Sequence, residues 1–193
     1  MSTDRLARTG DAVDWALRIA VLGVVAAGVR QRNPGAVVNG LVAFVATFLP
    51  TALRRAFGFS FGPGHRVWLS GSMLLHATGM LGPYDDVWWW DHVTHTLSAS
   101  LVGSLVHLFA RRHDRDPTRY VLGVTVGAGL LWEVLEFVVH TAAERFGFEP
   151  LLIQYGRRDT LDDVAFDLVG ALLVVCFGDS VLDDVVDAER DGE

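Results

Sequence analysis

Six stretches of mostly apolar residues, each 15 to 22 long, alternate with short segments that hold nearly all the charge. They are 12–29, 35–53, 67–81, 92–110, 120–139 and 161–182. A hydrocarbon layer about 30 Å thick needs roughly 20 helical residues to cross it. A water-soluble chain of this size cannot bury so many helices that are apolar all round. The pattern therefore predicts an all-α, polytopic transmembrane bundle of about six short helices, forming a single integral membrane domain over 1–193. Its location is the cell membrane, multi-pass, with lipid as its solvent. The first stretch is read as a retained helix, because it is long for a signal sequence and Asp14 and Arg18 interrupt its start. The third is the weakest, being short and carrying Ser70, Gly71 and Ser72.

Breakers mark the connectors: Asn33-Pro34-Gly35, Gly62-Pro63-Gly64, Gly82-Pro83 and Asp116-Pro117. Small residues at helix-packing spacing, Gly123 with Gly127, Ala99 with Gly103, and Gly170-Ala171, suggest close backbone approach between helices. All 16 basic residues are Arg. Ten of them (5, 8, 54, 55, 66, 111, 112, 115, 119 and 190) fall on one side of a six-span topology and five (30, 32, 145, 157 and 158) on the other. The bias places both termini in the cytoplasm, and Trp88, Trp89 and Trp90 at the outer boundary. With 23 acids against 16 bases and no basic stripe, nucleic-acid binding is disfavoured. A single cysteine, Cys176, rules out a disulfide framework and a cysteine-based zinc site.

That topology gathers titratable residues into a shallow band of the outer half. His76 comes from the third span, His92 and His95 from the fourth, Glu133 and Glu136 from the fifth, and Asp163 and Asp167 from the sixth. Spacings of three or four put Asp91 with His95, Glu133 with Glu136, Glu136 with His140, and Asp159 with Asp163 and Asp167 on shared helix faces. Lipid does not tolerate such faces, so they are expected to meet inside the bundle. Imidazole and carboxylate ligands suit a divalent transition metal, zinc or manganese. The expected ligands are His92, His95, Glu133 and Asp163, with Glu136 or Asp167 as general base on a metal-bound water. His76, Asp91, His140 and Asp159 would support the ligands, and Arg157 and Arg158 would contact an anion.

The order Asp91-x-x-x-His95, Trp132-Glu133-x-x-Glu136, Asp159-Thr160-x-x-Asp163-x-x-x-Asp167-x-x-Gly170-Ala171 resembles the YjdF-like family of small polytopic inner-membrane proteins, over roughly the C-terminal two-thirds of the chain. VanZ-like membrane proteins are a more distant likeness. The resemblance implies a helix count and a choice of residues, without an activity. Three functions fit the band: a metal-dependent enzyme acting on a lipid or small amphiphile, a scaffold or sensor with a structural polar core, and a proton- or cation-coupled transporter.

Overall fold

The computed structural model describes residues 3–190, with side chains over 5–185. Among these, eight helices occur and no strand: α1 (Thr3–Gln31), α2 (Pro34–Ala46), α3 (Leu49–Phe57), α4 (Pro63–Gly79), α5 (Pro83–Asp86), α6 (Trp90–Arg112), α7 (Thr118–Phe146) and α8 (Arg157–Arg190). They divide into two compact units, one holding α1 to α5 and the other running from Val87 to Val186.

In the first unit, α1 turns back through Arg32, whose φ of 57° is left-handed, and Asn33 caps α2 by accepting from the Ala36 N–H at 2.8 Å. Pro50 has no N–H for the Ala46 carbonyl, so the α-helical ladder breaks and α3 restarts at Leu49. α4 runs beside α1 in the same direction. Gly10 lies against Pro63, Arg66 donates to Asp11 at 2.5 Å, and the Asn33 amide donates to the Met80 carbonyl at 2.9 Å. Val21, Val24, Ala43 and Ala77 form the core between them.

A buried ionic knot pins the other end of this unit. The Arg18 guanidinium meets Asp14 at 2.8 Å and donates to the Thr47 carbonyl at 3.1 Å, where α2 breaks. Ser70 of α4 donates to the second Asp14 oxygen at 2.5 Å, and the guanidinium lies over the Trp15 and Phe48 rings. The two charges that interrupt the first apolar stretch thus neutralise each other.

Five helical segments are long and apolar enough to cross a membrane: Arg5–Gln31, Pro34–Phe57, Trp90–Arg112, Thr118–Phe146 and Arg157–Val185. The expected sixth, α4, has only 17 residues, about 25 Å of rise. It nevertheless runs beside α1 over most of that helix, from the contact at Gly10 to the Asn33–Met80 hydrogen bond.

The second unit is three helices. Asp116 starts α7 by accepting from the Thr118 N–H at 3.0 Å and its hydroxyl at 2.8 Å. These hydrogen bonds, the backbone one first, hold its carboxyl below the usual range. α8 returns parallel to α6, with α7 antiparallel to both. Thr96 of α6 donates to the Phe166 carbonyl of α8 at 3.3 Å, about one turn further Ala99 meets Gly170, and about three turns further His107 meets Gly178. A Cβ at Gly170 would stand 2.5 Å from the Thr96 carbonyl oxygen, so only glycine permits this approach. The Gly123–Gly127 pair does not serve this purpose: neither has a neighbour within 4 Å of a Cβ, so this pair faces outward.

Two outcomes test this organisation. Asp14→Leu leaves the Arg18 charge buried without its partner and should cost about 3–5 kcal/mol, read as a lowered unfolding midpoint in detergent. Reporters fused to the two termini should score the same compartment if α4 completes a sixth crossing, and opposite compartments if it does not.

Candidate functional site

The N-terminal turns of α6 and α8 lie side by side, so Asp91, His92 and His95 face Asp163 and Asp167. His95 is engaged on both ring nitrogens. Nδ1 stands 3.2 Å from the Asp167 Oδ1. Nε2 is flanked by Asp91 Oδ1 at 3.7 Å and Asp163 Oδ1 at 3.9 Å. Asp91, His95 and Asp163 each offer one donor atom, all within 4.8 Å of one another. Thr94 fixes the first turn by donating to the Asp91 carbonyl at 2.8 Å.

These spacings have a chemical meaning. Two ligands on a tetrahedral metal, each about 2.1 Å from it, stand about 3.4 Å apart. The Nε2–carboxylate separations are close to this, and longer than hydrogen bonds. A carboxylate on Nδ1 fixes the tautomer that leaves Nε2 free to ligate. Asp163 is 1% exposed, and its Oδ1 has no hydrogen-bond partner among the described residues.

α7 closes the third side. A Cβ at Gly129 would overlap the Asp167 carboxylate, so α7 passes directly over it. Glu133 lies one turn further on the same face, at the level of Asp163 in this antiparallel pairing. It is 6% exposed, and neither of its carboxylate oxygens has a hydrogen-bond partner among the described residues. Glu136 differs, because Trp132 Nε1 donates to it at 2.8 Å.

The remaining expected residues are distributed as follows. His92 approaches Asp163 Oδ1 at 3.9 Å through Nδ1, but its ring stacks on Phe166 at 4.4 Å with the planes 5° apart. His140 is held by the connector after α7: the Gln154 N–H donates to its Nδ1 at 3.2 Å, and its Nε2 faces Glu144 at 3.4 Å. His76 lies in the first unit, its Nδ1 hydrogen-bonded to the Tyr84 hydroxyl at 2.8 Å. Asp159 is half-buried one turn before Asp163, and Arg157 and Arg158 are exposed at the start of α8. Phe166, Thr94 and Gly129 carry no chemistry of their own and gave no signal as site residues. Only the spacing of Gly129 from Glu133 could have pointed to it.

Gly129→Ala should force Asp167 away from His95 and lower stability by about 1–3 kcal/mol through overpacking. Gly127→Ala, which has open space around it, should leave the unfolding midpoint nearly unchanged.

Comparison with known proteins agrees with this architecture. No curated protein and no solved structure matches the chain. The family model described as a predicted membrane protein, DUF2238, matches residues 13–184, which spans every candidate crossing except the outermost turns. The protein is therefore multi-pass and helical, and it belongs to the DUF2238 family of predicted membrane proteins.

Proposed function

We propose that this is a metal-dependent membrane enzyme, acting on a lipid or small amphiphile at the headgroup level, with the likeness to YjdF-like proteins extending to these residues. The observation that carries the reading is the trio Asp91, His95 and Asp163, three donors from two helices within 4.8 Å. Two carboxylates and one imidazole suit zinc or manganese, and three protein ligands leave a position open for water or substrate.

Asp167 would orient His95, and Glu133 on the facing helix would stand beside the open position. A divalent metal held by these residues would supply Lewis-acid activation of water near neutral pH. Glu136, held by Trp132, would take the proton. Burying four carboxylates near one another is costly without compensating positive charge, and a divalent cation provides it. A purely structural polar core is a less economical account, since interhelical polar contacts in membranes contribute only about 0.6–2 kcal/mol each.

Trp88 is 81% exposed, and its ring meets that of His92 at 6.1 Å. A run of three Trp residues favours the membrane interface, which would set the site where headgroups and acyl esters lie.

Protein purified without chelator should carry about one zinc or manganese per chain by elemental analysis. Asp163→Asn and His95→Gln should each lower the metal content at least tenfold. Chelator treatment should lower the unfolding midpoint of the wild type only. Metal-free wild-type protein that cannot be loaded, or full occupancy in both variants, would refute the reading.

A further inference from the structure

The acidic end of the second unit is not its only buried polar feature. Three side chains lie along the seam of α6, α7 and α8, each at least nine-tenths buried and each with an atom lacking a hydrogen-bond partner among the described residues. They are Asp167 (Oδ2), Thr125 (Oγ1) and His107 (Nδ1). Each is covered by a glycine of the next helix: Asp167 of α8 by Gly129 of α7, Thr125 of α7 by Gly103 of α6, and His107 of α6 by Gly178 of α8. The covering glycines set the spacing. Gly129 and Thr125 are one turn apart on α7, and Gly103 and His107 one turn apart on α6, so each step is about 6 Å of helix rise. Proton transfer over such a step needs an intervening water between the side chains.

The far end opens to the outside of the unit. His107 is 2% exposed, yet its Nε2 stands 3.3 Å from Asp179, whose side chain is 66% exposed. Arg111 faces the same carboxylate at 3.6 Å. Between the ends, Val121, Ala171 and Val174 pack the seam with apolar groups, and Val121 and Val174 lie with Thr125 against Gly103. The Thr125 hydroxyl, able both to donate and to accept, is therefore the polar step through the apolar layer.

We propose that α6, α7 and α8 form a proton path, running from Asp179 through His107 and Thr125 to the polar cluster at the opposite end of the unit. The polar groups would otherwise be wasted on a seam that glycine and valine already close. This function goes beyond the metal reading and does not depend on it.

The full chain, reconstituted in phosphatidylcholine vesicles with a trapped pH dye, tests the path under an imposed pH gradient, with potassium and valinomycin balancing charge. Wild-type vesicles should equilibrate at least tenfold faster than protein-free ones. Thr125→Val keeps the shape and removes an unpartnered hydroxyl, so its unfolding midpoint should hold or rise while its flux falls to the protein-free rate. His107→Gln should lose flux in the same way, and it decides the question if Thr125→Val does not reconstitute. Wild-type flux no faster than that of empty vesicles, or variants that conduct like the wild type, would overturn the path. Zinc content read on the same samples separates the two proposals, since a metal-free protein that conducts leaves the path standing.

Discussion

A charge inside a bilayer has no water to turn to, and each unit of this protein is organised around that constraint. In the first unit each buried charge faces its opposite, although the Arg18 Nε has no hydrogen-bond partner among the described residues. Asp14 and Arg18 neutralise each other, and Ser70 and the Thr47 carbonyl take up further hydrogen-bonding capacity. The pair fastens α1 to α4 and to the break between α2 and α3, so it acts as a structural clasp. In the second unit the solution is partial. His95 is surrounded by three carboxylates, while Glu133, Asp163 and Asp167 retain oxygens without partners among the described residues. The contrast is between a charge met by an opposite charge and a cluster dominated by carboxylates.

Much of the architecture is legible from hydrophobic length alone, because lipid imposes a minimum run that loops cannot imitate. Which residues share a helix face was legible too, since spacings of three and four commit residues to such faces. The pairing of those faces was not. Asp91 could have been an ordinary first-turn acid, and only the parallel packing of α6 on α8 brings it beside Asp163. His92 and His140 share the spacing of ligands, but a stacked phenyl ring and a backbone N–H engage them instead. Such competitors lie far away in the chain and leave no local pattern.

Glycine gave the least reliable signal. Gly123 and Gly127 have the spacing of a helix contact and face open space, whereas Gly129 and Gly178 have no motif and sit on the seam beside Gly103, which its spacing from Ala99 did mark. Which side of a helix meets a neighbour depends on the neighbour's position, which a single helix does not encode.

The parallel course of α6 and α8 also bears on how the protein is made. Two parallel helices require a complete crossing between them, so α8 is the last of the three to emerge from the ribosome. Until it inserts, His92 and His95 face lipid or solvent without Asp163 and Asp167, and Glu133 has no counterpart at its level. The cluster is therefore assembled only once α8 is in place, and a chain ending before α8 would leave His95 and Glu133 without the carboxylates that face them.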